Sequence, residues 1–129
     1  MDEVFEAIPS EAPRQVLLPG RRSLLVRLTA KPGMRAALLA ELNAYADGLS
    51  EEPGTEVFMV STDPDNDSIV WLLEVFRDTA AEAAHRGSQG FERLMRAIPD
   101  ILEDPPAVLR MDPLRLSLQE QVLVEDWML

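Results

Sequence analysis

A chain of 129 residues, 47% of them hydrophobic, is long enough for one domain with a buried core. It has no cysteine, which excludes disulfides, thiolate catalysis and cysteine-ligated metal sites. Its net charge of −11 opposes binding to nucleic-acid phosphates and to anionic membranes, so neither is an expected partner. No apolar run approaches the roughly 18 residues of a membrane-spanning helix. The acidic start "MDEVFEAIPSEAPRQ" lacks the basic and apolar regions of a signal peptide. The expected setting is therefore cytoplasmic, which the lack of cysteine fits.

Residues 1–22 carry three prolines and a Gly-Arg-Arg turn, and read as a loosely structured arm. "SLLVRLTA" (Ser23 to Ala30) is a short β-rich run, broken by "KPG". From Met34 to Leu49, Leu38, Leu42, Tyr45 and Leu49 recur at helical spacing. "SEEPGT" ends that helix and leads into a strand over Glu56 to Thr62. "DPDND" turns the chain into a third strand, Ser68 to Phe76, so the two form a hairpin. Thr79 and Glu82 have capping-box spacing before the helical "AAEAAH". Ser88 is placed to cap a segment over Gln89 to Ile98, which Pro99 interrupts. "AVLRMD" (Ala107 to Asp112) reads as a fourth strand. Residues 114–129 form a tail compatible with an extended segment or a short helix.

The order is strand, helix, strand, strand, helix, strand. That is an α+β, ferredoxin-like split βαβ arrangement around a four-stranded antiparallel sheet. The third strand is apolar on both sides, with Ile69, Trp71, Leu73 and Val75 on one face and Val70, Leu72 and Phe76 on the other. Two helices cover one face only, so the other is expected to be buried by a second copy of the chain. The tail, ending "VLVEDWML", is expected to pack on the domain, on the partner chain, or over a pocket mouth.

Asp63, Asp65, Asp67 and Glu74 stand at calcium-loop spacing. Ser68 replaces the glycine that such a loop needs, and a strand follows where a helix should, so a polar hairpin turn explains the aspartates without a metal. No phosphate-binding glycine loop, zinc motif or nucleophile elbow is present. His85 is the only histidine, which excludes a multi-histidine metal site within one chain but leaves a lone haem ligand open. A small polar set remains in apolar surroundings: Arg27, Asn43, Tyr45, Glu74 and His85. Glu74 must be paired, with Arg27 the expected partner, or solvated, or raised in pKa. His85, near a helix end, reads either as an acid/base or as a helix-ending residue bonded to a carbonyl. Trp71 and Tyr45 read as packing residues.

"LLVRLTAKPGM", "EEPGTEVFMVSTDPDND", "LLEVFRDTAAEAAHRGSQGFERL" and "IPDILEDPPAVLRMDP" stand in the order and spacing of the antibiotic biosynthesis monooxygenase domain, which the chain resembles over residues 23–113. The EPG before the second strand and the pattern E-x-[FYW]-x-D-x-x-A-x-x-x-H, here Glu74 to His85, are the specific parts. The resemblance implies a homodimeric α+β barrel with a ligand cavity between sheet and helices. It leaves an arm (1–22) and a tail (114–129) outside the domain.

The resemblance also implies chemistry. Such domains include cofactor-free oxygenases of anthrones and quinols, haem-degrading enzymes and autoinducer-modifying enzymes. A deprotonated electron-rich phenol or anthrone can itself pass an electron to O2, given a base, an oxyanion donor and a dry pocket. The expected function is a cofactor-independent monooxygenase of an aromatic, quinol or polyketide-derived small molecule, with O2 as co-substrate and neither cofactor nor metal. His85 and Glu74 are the expected catalytic pair, with Leu72, Phe76, Arg27 and Tyr45 binding substrate. Leu72 and Phe76 stand where anthrone-oxidising members carry Asn and Trp, and Gly90 where others carry a second histidine. Those departures keep two alternatives: a non-catalytic ligand-binding or accessory barrel, and a cyclase or isomerase on the same scaffold. The Phe76 position and the absence of histidine in "FERLMRAI" disfavour haem degradation.

Overall fold

The computed structural model describes residues 13–119 of the chain. Gly20–Asp112 form one compact unit, and the described parts of the flanking segments form a second, small one. In the small unit, β1 (Pro13–Leu17) pairs antiparallel with β6 (Arg115–Gln119), Pro13 opposite Gln119 and Leu17 opposite Arg115. The arm expected to be loose thus contains a strand. Its partner lies at the other end of the chain, beyond the reach of any local pattern. The "VLVEDWML" expectation falls outside the described residues.

The larger unit is a four-stranded antiparallel sheet in the order β3-β4-β2-β5, with β2 over Arg22–Thr29, β3 over Thr55–Thr62, β4 over Ile69–Phe76 and β5 over Ala107–Met111. Helix α1 (Arg35–Asp47) follows β2, while α2 (Thr79–Arg86) and α3 (Gln89–Ala97) follow β4. This is the expected ferredoxin-like order. A Lys-Pro-Gly turn feeds α1, with Gly33 at φ +79°, a left-handed conformation that glycine adopts without strain. Leu38, Leu42 and Tyr45 then fall on one stripe of α1 and are buried.

Alternation along β4 sets the whole arrangement. Val70, Leu72, Glu74 and Phe76 are buried against the helices, whereas Ile69, Trp71, Leu73 and Val75 face the other way and are half-buried. The core joins Val26, Leu28, Val70 and Leu72 of the sheet to Leu38, Leu42, Leu94 and Ile98 of the helical layer. Across the opposite face run Met59, Leu73, Leu25 and Leu109 in register, with Met59 48% and Leu109 61% exposed.

The helix start after β4 differs from the expected capping box. Asp78, not Thr79, is the N-cap, accepting a hydrogen bond from Ala81 N at 2.8 Å. Glu82 is thereby released from capping and points into the protein, 1% exposed. Ser88 does cap α3, accepting from Phe91 N at 3.1 Å. A close approach locks α2 onto the turn before β3, because a Cβ on Gly54 would lie 2.5 Å from the Cβ of Ala81. Gly54→Ala should therefore destabilise the fold by about 1–3 kcal/mol, the usual cost of overpacking. Adding Ala81→Gly should recover part of that loss. Urea-unfolding midpoints of the single and double variants check this; an unshifted midpoint for Gly54→Ala would show that the contact is slack.

Candidate functional site

The site is built around a buried carboxylate that lies outside the expected set. A short 3-10 turn, Leu49–Glu51, tightens the end of α1, and backbone bonds from Glu52 N to Leu49 O and from Thr55 N to Glu52 O fold the Glu-Pro-Gly segment back. Glu52 is directed inward and is only 9% exposed. Its Oε1 accepts from Tyr45 Oη at 2.9 Å and Thr55 Oγ1 at 3.0 Å, and faces His85 Nδ1 at 2.9 Å. Its Oε2 accepts from Ser88 Oγ at 2.9 Å. Burial alone would raise the Glu52 pKa, but the bonds from His85, Ser88, Tyr45 and Thr55 outweigh it and hold the carboxyl below its ordinary value.

An ionised carboxylate can only accept, so the proton between Glu52 and His85 sits on Nδ1. Tyr45 Oη, 2.8 Å from the same nitrogen, accepts from it while donating to Glu52. Burial first, and then the Glu52 hydrogen bond, push the Tyr45 phenol well above its ordinary pKa, so it stays protonated. Nδ1 is thus engaged, which leaves Nε2 as the ring nitrogen without a hydrogen bond among the described residues. The ring is wedged between Phe91 and Phe76, with centroids at 4.5 and 5.0 Å. A helix-ending histidine bonded to a carbonyl is not what the structure shows.

Nε2 faces Glu74 Oε1 at 3.6 Å, too far for a hydrogen bond, and that oxygen has no hydrogen-bond partner. Burial, and then the charges of Glu52 and Glu82, raise Glu74 to about 7. The Glu74–His85 contact is therefore a close approach without a hydrogen bond. Both groups line a cavity of about 270 Å³ between sheet and helices, walled by Leu24, Val26, Leu72, Phe58 and Leu94. A second cavity of about 540 Å³ lies on the other side, lined by Glu52, Thr55, Ser88, Arg77 and Arg93. Tyr45 and His85 line both and form the wall between them.

Four of the expected residues meet here: His85, Glu74, Tyr45 and Leu72. Phe76 is fully buried and supports the imidazole from behind, lining neither cavity. Arg27 is not in the site. It pairs across β2 with Trp71 and Ala107, on the sheet face opposite Glu74, and is exposed. Period-two alternation forbids the expected Arg27–Glu74 pair, because Leu24, not Arg27, stands beside Glu74. Asn43 is also exposed. Asp63 spends its carboxylate on Trp71 Nε1 and the Asp65 amide, whereas Glu74 lies inside, so the calcium-loop spacing does not converge. Among the described residues no group of three or more His, Asp or Glu is placed to hold a metal. Glu52 and the buried Glu82 escaped the sequence reading. The Glu-Pro-Gly turn was the one signal pointing to the first.

The family model described as antibiotic biosynthesis monooxygenase matches residues 22–97. The chain belongs to this family. Solved structures agree in fold. The Rv0793 protein of Mycobacterium tuberculosis is 26% identical, with a TM-score of 0.67 over 72% of this chain and 94% of that one. The NE2512 protein of Nitrosomonas europaea, described as of unknown function, is 29% identical, with a TM-score of 0.65 over 72% and 88%. PA3566 of Pseudomonas aeruginosa is 24% identical, with a TM-score of 0.68 over 74% and 96%. No curated protein matches. At the level of the antibiotic biosynthesis monooxygenase family, the domain is of monooxygenase type. Among the described residues, no helix is long and apolar enough to cross a membrane.

The raised Glu74 sets the sign of a pH dependence. Its ordinary value is 4.5, so the folded chain holds this proton more tightly than the unfolded chain. The stability it contributes is complete below pH 4.5 and is lost as pH rises through about 7. Glu74→Gln abolishes that titration. Relative to the parent, the variant should gain stability between about pH 5 and about pH 8, by up to about 3 kcal/mol. Urea midpoints of both proteins at the two pH values test it; parallel profiles would show that Glu74 is not held protonated.

Proposed function

We propose that this protein is a cofactor-independent monooxygenase that oxidises an aromatic, quinol or polyketide-derived small molecule with O2. The observation carrying this reading is the placement of His85. Its Nδ1 is anchored by Glu52 and Tyr45, and its Nε2 opens beside an unpartnered carboxyl oxygen into an apolar cavity. Such a base can take a proton from a substrate that then reacts with O2 unaided. For a methylene flanked by aromatic rings, Nε2 removes one C–H proton and the electron pair stays on carbon. One electron passes to O2, and the radical pair closes a C–O bond. The peroxide takes a proton back from His85 or Glu74. Loss of the remaining C–H proton with the terminal OH, as water, leaves a carbonyl. One oxygen atom enters the product and the other becomes water.

Leu72 and Phe76 support a second reading. They are apolar where anthrone-oxidising relatives carry hydrogen-bonding side chains, which fits a ligand-binding barrel or a cyclase or isomerase. Oxygen uptake on a panel of anthrones, quinols and phenols, with mass spectrometry of products, separates the three. An added oxygen atom supports the oxygenase, a rearranged product of unchanged mass the isomerase, and binding without turnover the accessory role. With a turned-over substrate, His85→Gln should cost roughly 10²–10⁴ in kcat. Full turnover in that variant would remove His85 from the chemistry.

The same proposal includes a homodimer through the open sheet face. Met59 and Leu109 are exposed there, in register with half-buried Leu73 and Leu25, which makes an unbroken apolar row across the sheet. Sedimentation should give twice the 14.4 kDa chain mass, and Leu73→Asp with Met59→Asp should halve it. A monomeric parent at micromolar concentration would refute the dimer.

A further inference from the structure

The buried carboxylate of Glu82 opens a question about what the cavity accepts. Glu82 is 1% exposed, yet its Oε2 lies 3.1 Å from Arg86 Nη1 and 3.2 Å from Arg110 Nη1. Neither contact is aligned as a hydrogen bond to that oxygen, although Arg110 Nη2 donates to the other carboxylate oxygen, Oε1, at 3.5 Å. The two arginine side chains are themselves 56% and 61% exposed. One buried anion therefore holds two half-exposed cations at one place, and one positive charge is left over. Asp112, the next acid along the chain from Arg110, is taken by Arg22 at 2.8 Å and does not cancel it. All three residues of the cluster line the apolar cavity.

Their position relative to His85 gives the cluster a meaning. Among the described residues, the cavity is open between β5 and α3, where Val108 is 49% and Met95 36% exposed. Glu74 and Arg110 both stand opposite Leu24, one on each side, so they share a cross-strand row on the helix-facing side of the sheet. Two strand spacings set their backbones about 10 Å apart. A molecule entering along β5 would meet apolar walls along its length, His85 and Glu74 at its inner end, and two arginines at the rim.

We propose that the cavity takes a substrate with a flat apolar body and an anionic terminus, a carboxylate or an acidic enol, which Arg110 and Arg86 bind with the positive charge that Glu82 leaves unbalanced. This rests on the catalytic cavity assigned above, and names the class of molecule it selects. Guanidinium pairs are suited to a planar oxyanion because their N–H donors match its two oxygens.

Binding can be tested without turnover, so the outcome is independent of whether the protein reacts with O2. Calorimetry compares 2-naphthoate with its neutral isostere 2-naphthamide on the intact protein. The carboxylate should bind about ten- to a hundredfold tighter, the worth of a charge-assisted contact. Arg110→Gln leaves Arg86 balanced against Glu82 and should erase most of that preference, while leaving the amide's affinity unchanged. Glu82→Gln frees both cations and should widen the preference. Circular dichroism confirms that each variant is folded, and because the two substitutions act in opposite directions, general loosening cannot mimic both. Equal affinity for the two probes overturns the anionic terminus and leaves the apolar cavity standing. Failure of 2-naphthoate to bind at millimolar concentration overturns it as well, as does an unchanged preference in Arg110→Gln.

Discussion

A carboxylate taken out of water is costly unless nearly every lone pair finds a donor, and Glu52 shows that constraint met. Its donors come from four places in the chain: Tyr45 on α1, Thr55 at the start of β3, His85 on α2 and Ser88 at the cap of α3. Removing any one weakens the case for burying the rest. The network therefore ties the helical layer to the sheet by a polar junction and sets the tautomer of the only histidine. The nitrogen that faces the apolar cavity is free because the other one is fully engaged.

That junction also explains why Glu74 behaves so differently from Glu52. The two carboxylates approach the same imidazole from opposite sides, yet one has four donors and the other has an oxygen with none. The first is held ionised and the second is pushed toward neutrality, by burial and by the charge of the first. Separation of pKa values between neighbouring acids is a recurring basis for assigning acid and base roles. Here it comes from hydrogen bonds that outweigh burial at Glu52 and from burial and neighbouring charge left unopposed at Glu74.

Much of this was legible from residue spacing. Alternation in "SIVWLLEVF" placed Glu74 on the same face as Leu72 and Phe76, and the spacing of Leu38, Leu42 and Tyr45 marked the buried stripe of α1. The partner of Glu74 was not legible from neighbours in sequence. Arg27 is basic and lies on an adjacent strand, but it falls one residue out of phase with the inward face. Glu52 was hidden because a Glu before Pro-Gly looks like any polar turn. Its burial depends on donors from helices up to 36 residues away. Glu82 was masked by a plausible local role as a capping residue, which Asp78 fills instead. In each case a long-range contact overrode the local rule.

The pairing of β1 with β6 carries a consequence for assembly of the chain. Pro13 stands opposite Gln119, so the ladder closes a loop spanning the whole larger unit. Closing a free loop of that length carries an entropy penalty of about 4 kcal/mol beyond the constant term, against five paired residues of a two-stranded ladder that is marginal by itself. The strands can meet cheaply only once the intervening sheet and helices have brought the two flanks near each other. The ladder is thus a late event, and its presence reports that the residues between its strands have already reached their native arrangement.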